Sequence, residues 1–357
     1  MGRKLKLLFK KIILHSIKQI NNERTAVAIY HLLTGKKSIQ TVQDAHMYNL
    51  NAFYGILQRL QISFYENIIN QYEEANLLKG GNGDFVRLTN RGNEWLDKNK
   101  HIQIHNFNGI KYHQRDEQFM KRLLLFIQML TNSKKNTYNY IPIVEERQYT
   151  LWARQVYHEI KDQLDENLLQ LEKELLLIGE KLSDEEANIF IDRLTGYKIY
   201  GQSIYQLSDQ YKYTPVDIQL ILVKVIHRMM DIVTENPDRF YVLARMLPSK
   251  QKGGLVTNSA KRTFELLKLG HNIEQIAKIR KLRLGTIQDH IVEISLYDHS
   301  FPFDDFLSES TKKEIFQVME ELNTFKLKQI KDKVNDKITY FEIRLALSKY
   351  NQNKDEY

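Results

Sequence analysis

Few residues in this chain stand at spacings that would support a reaction. His101, His105 and His113 fall within HIQIHNFNGIKYH, and paired imidazoles can bind a transition metal. No acidic ligand is arranged around them at a recurring interval, so they read as a surface linker. Gly80-Gly81-Asn82-Gly83 would suit a phosphate loop, but no strand precedes it and no Gly-Lys-Ser/Thr follows. Gly35-Lys36-Lys37-Ser38 fails the same test. HExxH, GxSxG and a dinucleotide-binding glycine loop are all missing. Carboxylates are plentiful but interleaved with lysines, as on solvated helix faces. The chain has no cysteine, which excludes disulfides and thiolate metal sites and fits a reducing compartment. The expectation is a protein that is not an enzyme and needs no metal or cofactor.

Charge is the more informative chemistry. The net charge of +8 over 357 residues is modest, yet its distribution is uneven. Between Arg245 and Arg283 ten basic residues face only Glu265 and Glu274, and residues 1–18 carry six basic residues and no acid. Lys250, Lys252, Lys261, Arg262, Lys278, Arg280, Lys281 and Arg283 form the densest cluster. Clustered positive charge beside a recognition element is the footprint of a phosphate backbone.

That cluster surrounds Phe264 to Ile294, which reads as helix, break at Leu269-Gly270-His271, helix, turn, helix. From Ala277 the chain reaches Leu282 after five residues, Ile287 after ten and His290 after thirteen. In a helix-turn-helix, Ala277 can fill the tight helix crossing and Leu282 can plug the turn. Ile287 and Ile291 then turn the third helix onto the first two. On this pattern the third helix stands proud of the core with its amino-terminal end free to enter a groove. Lys281 sits where such turns usually carry glycine, which implies strain or a longer turn. Lys261, Arg262, Lys278, Arg280, Lys281, Arg283, Thr286, Gln288 and His290 are the candidate DNA-contacting residues. A three-helix core with no ligand would show the same apolar pattern.

Earlier in the chain, residues 4–20 form an amphipathic helix suited to ordinary packing, with a membrane surface as the other use of its apolar side. Charges at Lys10, Lys11 and Lys18 exclude a signal peptide, and no apolar run is long enough to span a bilayer. Three helical patterns and FYENIINQYEEANLL lead into KGGNGDFVRLTNRGNEWL, the signature of a small β-wing followed by a helix capped at Asn90. Leu151–Leu182 reads as one long helix. Its Leu164, Leu168, Leu171, Leu175, Ile178 and Leu182 make a coiled-coil-like seam, usable in a homodimer or within the domain. Ser183 and Glu186 make a capping box. Leu207-Ser208, Tyr213 and Ile218 then repeat the helix-turn-helix pattern, with Asp209 and Asp217 where phosphate contacts would be wanted. Thr339 caps the last helix, and Lys328, Lys331, Lys333 and Arg344 add cations on polar positions.

The fold expected is mainly all-α and multi-domain. A winged-helix-like domain with a small β-wing spans 1–110. A central helical domain with a long helix and a degenerate helix-turn-helix spans 115–247, and a helix-turn-helix DNA-binding domain spans 257–350.

FELLKLGHNIEQIAKIRKLRLGTIQDH and FKLKQIKDKVNDKITYFEIRLAL together resemble the helix-turn-helix domain found at the carboxy terminus of bacterial RecQ-type helicases and in YpbB-like proteins. The first motif is shared with many regulators; the second makes the match specific. The resemblance implies DNA binding in the service of a partner RecQ-like helicase in repair or recombination, in the cytoplasm at the nucleoid. It brings no catalytic residues. Two other readings remain: a transcriptional regulator reading an operator through Arg283 to Gln288, and a scaffold whose helix-turn-helix copies bind only protein.

Overall fold

The computed structural model describes residues 7–81, 83–249, 256–297 and 301–350. The chain is mainly helical, with one two-stranded sheet among the described residues. Helix α1 (Leu8–Ile20) buries Ile12, Ile13 and Ile17 completely, as a packed amphipathic helix should. It is followed by α2 (Ala26–Thr34), α3 (Ile39–Met47) and α4 (Ile62–Glu74). Strands β1 (Leu78–Lys79) and β2 (Arg87–Leu88) pair antiparallel, Leu78 with Leu88 and Lys79 with Arg87. Gly80 has φ +86°, and a β-carbon there would lie 2.2 Å from the Phe85 carbonyl oxygen, so the hairpin needs glycine. Helix α5 (Asn90–Lys98) is capped one residue earlier than the sequence suggests. The Thr89 hydroxyl accepts the Gly92 N–H at 3.1 Å, and Asn90 is already helical.

Helices α6 (Gly109–Tyr112), α7 (Arg115–Lys134), α8 (Arg147–Ile160) and α9 (Leu164–Gly179) come next. The long helix expected over 151–182 is broken by a 3₁₀ turn at Lys161–Gln163. Its two halves, α8 and α9, both pack on α7. A straight helix over 151–182 would run about 48 Å, against about 30 Å for α7, so only a bend keeps both halves on it. Leu171 and Ile178 of the expected seam are buried, which turns that stripe inward. Helix α10 (Asp184–Asp192) begins with the Ser183/Glu186 capping box.

Helices α11 (Ile204–Tyr211) and α12 (Pro215–Glu235) form the second helix-turn-helix, and α13 (Tyr241–Ala244) follows. The turn closes by Tyr213 N–H donating to the Ser208 carbonyl at 3.3 Å, with Lys212 left-handed at φ +60°. Asp217 is buried and accepts the Phe9 N–H at 2.8 Å. Burial pushes its carboxyl up to about 6, despite that hydrogen bond. One compact unit joins Met1–Leu14, Gly55–Arg59 and Leu96–Ser249.

The carboxy-terminal helices are α14 (Asn258–Lys268), α15 (Ile273–Arg280), α16 (Leu284–Tyr297), α17 (Glu309–Leu322), α18 (Leu327–Lys331) and α19 (Tyr340–Tyr350). The second compact unit joins His15–Tyr54, Leu60–Trp95 and Lys250–Tyr357. Within it α3 packs against both α16 and α19, so wing-bearing and carboxy-terminal segments share one core. Glu23 ties them: its carboxylate accepts the Tyr48 hydroxyl at 2.7 Å, the Phe325 N–H at 3.0 Å and the Thr324 hydroxyl. No described helix is long and apolar enough to cross a membrane.

Candidate nucleic-acid interface

The helix-turn-helix forms over the expected stretch, but Ile276 is enclosed while Ala277 and Leu282, expected at the crossing and in the turn, are half-buried. Thr257 caps α14 by accepting the Ala260 N–H at 3.1 Å, and Asn272 and Gln275 form a reciprocal capping box that starts α15. Ala260, Ile276, Ile287 and Ile291 are fully buried between the three helices. Lys281 resolves the misfit seen in the sequence: it is left-handed, at φ +53° and ψ +42°. A non-glycine residue there costs about 1–2 kcal/mol. In return its N–H donates to the Lys278 carbonyl at 3.2 Å, and Leu282 N–H to the Ala277 carbonyl at 3.0 Å. The degenerate copy uses Lys212 in the same way.

The third helix does not stand proud. Helix α16 packs against α14, α15, α19 and α3, and buries Ile287, His290, Ile291, Val292, Ile294, Ser295 and Leu296. Solvent reaches mainly its first turn, where Arg283, Leu284 and Gly285 are exposed. Thr286 and Gln288 are half-buried.

Two candidate residues lie inside the domain. His290 is 7% exposed, and its Nδ1 meets the Thr263 hydroxyl at 2.9 Å and Arg280 Nη1 at 3.2 Å. Arg280 also donates to the Ser259 carbonyl at 2.7 Å, to the Ser259 hydroxyl at 2.9 Å and to the Thr263 hydroxyl. The chain of donors runs Arg280 to Thr263 to His290, which requires Nδ1 to be an acceptor and the imidazole neutral. Burial, and then the charge of Arg280, hold the His290 pKa below its ordinary value. These residues fasten α14, α15 and α16 together. Arg262, Lys278, Lys281 and Arg283 are exposed and Lys261 half-buried. Lys250 and Lys252 lie outside the described residues.

Asp289, whose carboxylate would repel a phosphate backbone, is paired with Arg344 on α19 at 2.6 Å. Arg344 Nε also donates to Gln43 on α3 at 3.3 Å. Arg344 thus neutralises Asp289, a role its place in the sequence did not reveal. Glu293 is turned back onto Thr257, accepting its N–H and hydroxyl.

The wing-bearing segment contributes differently. Helix α4, which leads into the hairpin, carries Glu66, Glu73 and Glu74 and no lysine or arginine, so it offers phosphate no attraction. The hairpin exposes Phe85, with Lys326, just before α18, 4.5 Å over its ring. His101 and His105 are exposed while His113 is buried, so the three imidazoles do not form one site. Among the described residues no group of three or more His, Asp or Glu could hold a metal.

Two domain families match the chain: an RQC domain over residues 9–108 and a helix-turn-helix domain over residues 259–347. Both are DNA-binding domains rather than catalytic ones. The chain is also similar to Protein YpbB of Bacillus subtilis (strain 168), at 28% identity over 97% of this chain and 99% of that protein. The YpbB-like resemblance carried by the two carboxy-terminal motifs thus extends over the chain's length. No solved structure matches it.

Proposed function

We propose, for a chain similar to YpbB, that it is a non-enzymatic DNA-binding accessory that positions a RecQ-like helicase in repair or recombination, in the cytoplasm at the nucleoid. One observation carries this reading: Lys278, Lys281 and Arg283 are exposed around the first turn of α16, while beyond that turn no residue of the helix is more than half-exposed. Cations at a helix start suit phosphates, which fix position without reporting sequence. Lys261, Arg262 and Thr286 extend the same surface, and Gln288 is the one side chain left for a base edge. Arg280 and His290 support the surface from inside. The segments 1–110, 115–247 and 257–350 are proposed as the sequence modules from which the two compact units are assembled. Homodimerisation is proposed through Leu169 and Leu176 on the outer face of α9, 56% and 64% exposed. Sedimentation showing a single 42.5 kDa species at high concentration would discard it.

The function is tested by titrating the full chain against forked and blunt duplexes of unrelated sequence, then adding a purified RecQ-like helicase to the forks. Equal affinity across sequences, with faster unwinding in the presence of the chain, is the expected result. A regulator would instead bind one sequence far more tightly and lose about 1–3 kcal/mol there on Gln288→Ala. Unaltered unwinding would remove the helicase from the reading and leave DNA binding standing.

A further inference from the structure

We infer that the carboxy-terminal domain is a duplicated three-helix unit whose two basic corners meet one duplex together. This rests on the DNA-binding reading above. Helices α14, α15 and α16 all touch one another, and so do α17, α18 and α19. Their buried apolar residues correspond: Ile276 with Ile330, Ile287 with Ile343 and Ile291 with Leu347. Ile287 follows Ile276 by eleven residues and Ile343 follows Ile330 by thirteen, and the second turn, 332–339, has eight residues against three at 281–283. Val334 and Ile338, both buried, fill the longer turn. Thr339 and Glu342 cap α19 reciprocally.

The two third helices lie side by side. Asp289 of α16 meets Arg344 of α19, and further along the Ser295 and Ser348 hydroxyls meet at 2.8 Å. Both contacts advance toward the carboxy-terminal ends, so the helices run in the same sense and begin on the same side of the domain. Asp289 is five residues into α16 and Arg344 four into α19. Each helix therefore starts only about 6–7.5 Å beyond their contact. Each opens with an exposed large apolar residue, Leu284 at 42% and Tyr340 at 49%.

The corners have similar charge. In 273–283, Lys278, Arg280, Lys281 and Arg283 stand against Glu274; in 327–337, Lys328, Lys331, Lys333 and Lys337 stand against Asp332 and Asp336. Lys328, Lys333 and Lys337 are exposed, like Lys278, Lys281 and Arg283. Glu342 is occupied by its cap and Asp289 by Arg344, so the acids between the corners are taken up. Helices packed 8–10 Å apart, each about 10–12 Å across, make a front about 20 Å wide. A major groove about 12 Å wide cannot admit that front. The paired starts must rest across the groove, one corner on each flanking phosphate backbone.

The full chain is titrated against a fluorescein-labelled mixed-sequence duplex about two helical turns long, at several salt concentrations. Lys278→Ala/Lys281→Ala/Arg283→Ala and Lys328→Ala/Lys333→Ala/Lys337→Ala are compared, each checked for unchanged melting. All six positions are exposed, so the substitutions leave the core intact. Each triple variant is expected to lose affinity and to lower the log–log salt slope by about 2 to 3, at roughly 0.9 per phosphate contact. Loss in the first triple alone, or in the second alone, would overturn the two-corner inference while leaving DNA binding intact. No loss in either would overturn the DNA-binding reading of this face.

Discussion

Lys281 combines two properties that separate cleanly by substitution. Its left-handed backbone disfavours any side chain, while its ammonium is exposed beside the helix start. Lys281→Gly removes the conformational cost and the charge together. Its melting temperature is expected to stay level or rise while DNA binding weakens and the salt slope falls by about one. A fall in melting temperature would show that the lysine's own contacts hold the turn. His290 supplies the pH dependence. Its pKa is lowered in the folded protein, so the folded state binds fewer protons than the unfolded chain below the ordinary histidine value of about 6.5. Its contribution to stability is present above that value and is lost as pH falls through the depressed folded pKa. The wild type should therefore lose more melting temperature between pH 7.5 and 5.5 than His290→Asn does, as thermal denaturation can measure. His290 was expected to contact DNA, although its position on the stripe of Ile287, Ile291 and Ile294 made its burial legible. The place of Arg280 was not, since its partners on Ser259 and Thr263 lie on another helix.

Besides the Ser295–Ser348 hydroxyls, helices α16 and α19 are joined by the Asp289–Arg344 ion pair, whose value to DNA binding is expected to exceed its value to the fold. An exposed pair of this kind contributes about 0–1 kcal/mol. Removing Arg344, however, uncovers the Asp289 carboxylate on the face proposed to meet phosphate. Arg344→Ala is expected to weaken duplex binding about two- to fivefold, and Asp289→Asn in the same chain to restore most of it. Failure of the second substitution to restore binding would show that Arg344 acts otherwise than by covering that acid. At this scale the sequence was informative wherever the signal was local. The glycine-rich hairpin, the Ser183 and Thr339 caps and both helix-turn-helix registers all appear where their residues place them. The break at Lys161–Gln163 escaped notice because no proline or glycine marks it; packing of both α8 and α9 on α7 imposes it. The partial burial of α16 escaped for the same reason, since α3 and α19 approach it from distant parts of the chain.

Across the whole molecule, the second compact unit is assembled from segments far apart in sequence. A chain ending at Leu247 would strip α3 of α16 and α19, and leave Glu23 without Thr324 and Phe325. Its wing-bearing part is expected to melt well below the intact protein and to bind a hydrophobic dye, as calorimetry and fluorescence would show. Melting at the intact protein's temperature would mean that this part folds alone. No composition bias or periodicity in 1–110 announced this dependence, because the residues that satisfy it lie beyond position 250. The same arrangement sets an order of events during synthesis. Trp95 is translated 155 residues before Lys250. At about 5–20 residues per second that interval lasts roughly 8–30 s. Throughout it, the side of α3 bearing Gln43 and His46, which meet Arg344 and Tyr297 in the finished fold, has no carboxy-terminal helices to cover it, and the nascent protein is a client for whatever shields uncovered surface at the ribosome.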